Sequence, residues 1–136
     1  VVFCNISFSD ANAMVKELEN QNTNTQNIIF SQIVPSYTNT NIEVIKEYQT
    51  IMKKYYPNEP LGFLSLEAFL SSKILVNAIS RINNDITREK LLLTLKTTPN
   101  NLLLGIPLEY KNSQLSNNTY LFEYKNNEFI EISNEK

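Results

Sequence analysis

Histidine is absent from the 136 residues, cysteine occurs once (Cys4) and glycine only twice (Gly62 and Gly105). Without an imidazole, no acid–base relay built on histidine is available. A single thiol closes no internal disulfide, and a metal site of the usual Cys/His kind is out of reach. Two isolated glycines form no Gly-rich loop to cradle a phosphate, and no nucleophile–base pair stands out. No catalytic residue, metal site or cofactor is therefore expected, and the chain does not read as an enzyme. A net charge of -2 gives no broad basic footprint, which argues against nucleic acid as a partner. No run approaches the roughly 18 uninterrupted apolar residues needed to span a membrane.

What the chain does have is an ordinary globular composition, 42% apolar, in a length that suits one modest domain. It opens with Val1-Val2-Phe3, already inside an apolar run, and we read that opening as an internal start. Asparagine makes up about one residue in seven, well above average usage.

Val1 to Ile6 reads as a short buried strand, with Cys4 an inert thiol inside it. Ser9 or Asp10 offers a side-chain oxygen to the first turn of a helix carrying Ala13, Met14, Val15 and Leu18. A polar loop then leads to Ile28–Val34, a β-branched run stopped by Pro35. Strand, helix and strand at this spacing predict a βαβ unit with a parallel pair. Asn41 is placed to cap a helix with Ile42, Ile45, Tyr48 and Met52 on its inner face, widened by Val44, Ile51 and Tyr55. Leu66 to Ile82 is apolar nearly all round, as expected of a helix covered on more than one side. Thr87 caps a third helix through Leu91, Leu92 and Leu95, and Leu102 to Leu108 is a strand candidate broken by Gly105 and Pro107. Tyr120–Tyr124 and Glu128–Ile132 alternate around Lys125-Asn126-Asn127, a hairpin pattern. Its aromatic residues read as hairpin packing, and Lys53-Lys54 and Arg88–Lys90 as solvated helix faces.

In an open parallel sheet, ligands bind outside the carboxyl ends of the strands. The segments Ser7-Phe8-Ser9-Asp10 and Pro35-Ser36-Tyr37-Thr38 trail two parallel strands and so belong to one sheet edge. Their hydroxyls and aromatic rings suit a small polar solute with an apolar part. Ser7, Phe8, Ser9, Asp10 and Tyr37 are the candidate ligand-binding residues on this ground. Glu67, near the start of a buried helix, is a further candidate, although it also suits the positive end of the helix dipole.

Several runs resemble the Leu/Ile/Val-type substrate-binding proteins of ABC transporters. Ser31-Gln32-Ile33-Val34-Pro35, followed by Val44-Ile45-Lys46-Glu47-Tyr48, is similar to that family. So are Phe63-Leu64-Ser65-Leu66-Glu67-Ala68-Phe69 with Ser72-Lys73-Ile74-Leu75-Val76, and Leu104-Gly105-Ile106-Pro107-Leu108 before the terminal hairpin. Ser7-Phe8-Ser9-Asp10 with Met14-Val15-Lys16-Glu17-Leu18 resembles the family's strand–loop–helix at the binding cleft. The resemblance implies the C-terminal portion of an α/β, bilobal type I periplasmic-binding-protein fold that clamps a solute by hinge closure. It implies residues 1–35 in part of the second lobe, residues 36–99 as helices of the first, and residues 100–136 as a return to the second. It also implies capture of a small polar solute such as an amino acid, a membrane permease as partner, and a periplasmic or extracytoplasmic location. The alternative use of the same fold is as the ligand-binding sensor domain of a membrane signalling protein.

An all-round apolar helix also implies a covering layer. Leaving six or so large side chains bare forgoes on the order of 10 kcal/mol at about 1.5–3 kcal/mol each. Another segment of the fold, or self-association of the chain, is expected to cover that face.

Overall fold

The computed structural model describes residues 3–6, 10–25 and 28–132. Their elements run β1 (Phe3–Asn5), α1 (Ala11–Asn20), β2 (Ile28–Gln32), α2 (Glu43–Tyr55), α3 (Phe63–Ser80), α4 (Arg88–Lys96), β3 (Tyr120–Lys125) and β4 (Glu128–Glu131). The strands form one sheet in sequence order, with β1 and β2 parallel and the β3–β4 hairpin added antiparallel. The expected βαβ unit and terminal hairpin are both present.

Local chemistry accounts for the ends of these elements. Asp10 caps α1, its Oδ1 accepting from the amides of Asn12 (3.0 Å) and Ala13 (3.3 Å). Thr87 caps α4 by accepting from the amide of Lys90 at 3.3 Å. With glycine scarce, asparagine takes the left-handed positions: Asn22, Asn84, Asn112, Asn126 and Asn127 all have positive φ. At Asn22, the Thr23 amide reaches back to the Leu18 carbonyl and the Asn22 amide to that of Glu19, closing α1 as a glycine would. Asn126 (φ 52) and Asn127 (φ 63) together give the two positive-φ positions that a tight hairpin between β3 and β4 requires.

One face of the sheet carries the core. Phe30 and Phe122 face each other across β2 and β3 and are fully buried, and Phe63 from the start of α3 sits against Phe122 (4.8 Å) and Phe129 (5.2 Å). Ala11 and Val15 of α1, with Val44, Ile45 and Tyr48 of α2, complete the same cluster. Lys73 of α3 holds both carboxylate oxygens of Glu47 on α2, at 2.6 and 2.7 Å.

Four sequence expectations are corrected. Cys4 lies in β1 but is exposed, because it shares the outer sheet face with Ile29, and no described helix covers that face. Leu102–Leu108 is a turn, not a strand: Gly105 adopts φ +92, and the Leu104 carbonyl accepts from the Val44 amide. That bond also supplies the partner at the start of α2, so Asn41 is not its cap, and Ile42 occupies the cap position with no side-chain bond. The long apolar helix starts earlier than expected, at Phe63, and is covered on one side. Phe63, Leu66, Leu70 and Ala78 are buried, whereas Leu75 and Val76 stay 43% and 65% exposed. Its mean hydropathy of 1.3 over 18 residues would allow a membrane span, but those buried residues and the Lys73–Glu47 pair tie it to the packed layers.

Candidate solute-binding edge

The parallel register sets Phe3, Cys4 and Asn5 beside Ile28, Ile29 and Phe30, so both strands finish at the same edge. Asp10 follows β1 and Tyr37 follows β2, and the structure brings them into one neighbourhood. Asn12, in the first turn of α1, links them: its Nδ2 donates to the Tyr37 hydroxyl at 3.4 Å and to the Leu61 carbonyl at 3.2 Å. Tyr37 is further held by Gln49, whose Nε2 donates to its carbonyl at 2.8 Å, and by edge-on contact with Phe63 at 4.9 Å. Burial pushes the Tyr37 phenol above its ordinary value, the Asn12 hydrogen bond opposes this, and nearby Tyr48 and Asp10 add to the rise. The hydroxyl therefore stays protonated at neutral pH.

Asn12 borders two cavities. One, of about 340 Å³, lies toward the α2–α3 connection and is lined by Asp10, Asn12, Met52, Tyr56, Leu61 and Ser65, among others. The other, of about 200 Å³, is lined by Asn12, Lys16, Tyr37, Tyr124 and Phe129, among others. The first is largely apolar, bordered by two acidic residues, Asp10 and Glu59, and by the amide residue Asn12. Its far wall is held in place by Tyr48, whose hydroxyl lies 2.6 Å from Ser65 Oγ and accepts from the Gly62 amide at 3.2 Å. A larger open cavity of about 650 Å³, lined by Thr23, Ile29, Lys125 and others, opens at the opposite edge of the sheet. It lies where β2 begins, away from the carboxyl edge at which parallel sheets place ligands.

Of the candidate residues, Asp10 and Tyr37 are brought together, while Ser7, Phe8 and Ser9 lie outside the described residues. Glu67 is half-buried, one turn beyond Phe63, and lines neither of the two cavities bordered by Asn12. Sequence reading missed Asn12 and Gln49. The only signal for Asn12 was its place two residues after the capping Asp10, where a first-turn side chain shares the cap's end of the helix.

No family model matches the sequence, and no curated protein matches it. Solved structures do. A possible leucine/isoleucine/valine-binding protein from Rhodopirellula baltica SH 1 matches 97% of this chain and 36% of its own, at 25% identity and a TM-score of 0.81. A fatty acid ABC transporter substrate-binding protein from Thermomonospora curvata matches 96% and 35%, at 16% identity and 0.72. A leucine binding protein from Thermotoga maritima MSB8 matches 96% and 36%, at 17% identity and 0.71. The chain thus has a mixed α/β architecture that matches one part of a larger fold. That fold is the type I periplasmic binding protein of the Leu/Ile/Val-binding kind. The chain spans about a third of the length of the structures it matches, consistent with a C-terminal portion.

Proposed function

We propose that the chain is part of an extracytoplasmic solute-binding protein and supplies one side of a cleft that captures a small polar solute, such as an amino acid. The observation that carries this reading is the meeting of Asp10 and Tyr37, through Asn12, at the shared carboxyl edge of β1 and β2. Asp10 and Asn12 border the largely apolar cavity and Tyr37 the neighbouring one, with Asn12 shared, and such an edge suits a solute with a hydrogen-bonding head and an apolar tail. In this reading Ser7, Phe8 and Ser9 extend the same edge, and Glu67 faces the cleft from the helical segment. We assign residues 1–35 and 100–136 to one lobe and residues 36–99 to the other; Val44, Tyr48 and Phe63 pack with Phe30 and Phe122 where the two meet, so the hinge that the solute closes lies outside that shared core. The closed form is recognised by the membrane permease of an ABC transporter, in the periplasm or on the outer cell face. The solute-binding names of the structural neighbours support this reading, and their two different solute classes leave the choice of solute to experiment.

The test is a thermal-shift screen of the chain against free amino acids and short fatty acids. A specific solute at 100 times its dissociation constant adds about 2.7 kcal/mol of stability. The reading predicts a shift that is lost in Tyr37→Phe and Asp10→Asn. A shift that survives both variants places binding elsewhere and contradicts the reading.

A further inference from the structure

We propose that the larger of the two cavities bordered by Asn12 takes the head of a small organic cation with N–H donors, a primary amine carrying a short apolar tail. This deepens the solute-binding reading and rests on it.

The bonding of Asn12 sets the requirement. Both N–H groups of its side-chain amide are committed, to the Tyr37 hydroxyl and to the Leu61 carbonyl. A carbonyl only accepts, so the Leu61 bond fixes which end of the amide is nitrogen. The remaining atom, Oδ1, is buried and has no donor among the described residues. Asn12 can therefore serve a solute only as an acceptor, and a buried acceptor without a donor is costly.

The charged groups at this cavity are of the same kind. Asp10 and Glu59 border it, and neither is in an ion pair among the described residues. No described lysine or arginine lines it, and Lys16 lines only the smaller cavity. Helix dipoles oppose this preference and lose. The starts of α1 and α3 both border the cavity, and each adds about half a positive charge against a full negative one from each carboxylate. The cavity stays net negative.

Met52, Leu61 and Leu64 supply apolar wall, and about 340 Å³ lies at the small end of ligand sites, which favours a short tail over a long acyl chain. An amino acid would enter through its ammonium, and its carboxylate would find no basic partner here. A fatty acid's carboxylate would meet two like charges.

Calorimetric titration of the 136-residue chain with isoamylamine, its trimethylammonium analogue and isocaproate tests this. The three share one tail and differ in charge and N–H donors. The amine is expected to bind at least about tenfold tighter than either of the others. Glu59 is exposed, so circular dichroism should show its variants folded. Glu59→Gln should weaken the amine about two- to fivefold, the worth of an exposed ion pair, and Glu59→Lys by more than about tenfold. Equal binding of isocaproate or of the trimethylammonium analogue, amine binding unchanged in Glu59→Lys, or no binding of the amine overturns the cationic head. Tyr37→Phe and Asp10→Asn separate that failure from failure of the edge. A solute of any head whose binding both variants abolish keeps the edge as the site, whereas amine binding that survives Asp10→Asn contradicts the edge as well.

Discussion

Asn5 of β1 stands beside Phe30 of β2 in a parallel register. That one pairing decides where the two strands let go of the sheet. An antiparallel pairing would have sent Asp10 and Tyr37 to opposite ends of the molecule, whereas this register leaves Asn12 close enough to reach the Tyr37 hydroxyl.

Replacing Asp10 with alanine removes the side-chain acceptor for two amides at the start of α1. The expected loss is about 1 kcal/mol, with Asp10→Asn nearly neutral because an amide oxygen caps as well. Urea unfolding midpoints at constant m-value measure both.

Tyr48→Phe deletes the hydroxyl that accepts from the Gly62 amide and bonds Ser65 Oγ. The orphaned Gly62 amide should cost about 1–3 kcal/mol, while Ser65 Oγ keeps its bond to the Gly62 carbonyl. Chemical unfolding measures the loss. A variant as stable as the parent would mean that water takes over the bonds.

Phe63 is the ring that joins α3 to both strands of the hairpin, and it contacts Tyr37 as well. Phe63→Ala should cost about 3–5 kcal/mol through lost burial and the cavity left behind. A loss of that size approaches the whole stability of a small domain, so a broadened or absent thermal transition is expected.

Alkaline pH should destabilise the chain. Tyr37 and Tyr120 both titrate above the ordinary phenol value of 10.0, chiefly because burial disfavours the phenolate. For Tyr120, nearby Glu131 adds to the rise and a hydrogen bond with Asn118 opposes it. As pH passes 10.0 the unfolded chain releases these protons first, so it binds fewer than the folded chain and stability falls toward the higher folded values. Below 10.0 both forms hold the protons and the two tyrosines contribute no slope. Unfolding free energies across this range, in the parent and in Tyr37→Phe and Tyr120→Phe, should show a shallower fall in the variants.

Much of the fold was legible because local signals agreed. A β-branched run stopped by Pro35, the capping Asp10 and Thr87, and an alternating pair around Asn126-Asn127 each act within a few residues. The missed features depend on what sits far away in the chain. Leu102–Leu108 has strand-like residues, but the Leu104 carbonyl pairs with Val44 near the start of α2. Cys4 has the composition of a buried strand residue, yet burial needs a covering layer on its side of the sheet. Asparagine abundance looked uninformative from composition alone. Set beside the glycine scarcity, a part of it has a role, since five asparagines hold positive-φ positions. At the candidate site, Asp10 and Tyr37 followed from strand direction, whereas Asn12 needed the fold, because its partners are Tyr37 and Leu61.

Hydrogen–deuterium exchange, with and without a solute found by the thermal screen, asks most directly where that solute sits. Residues 10–12 and 36–38 should gain protection on binding while residues 23–25 and 125–127, at the other end of the strands, stay unchanged. Protection confined to that other end would contradict the account.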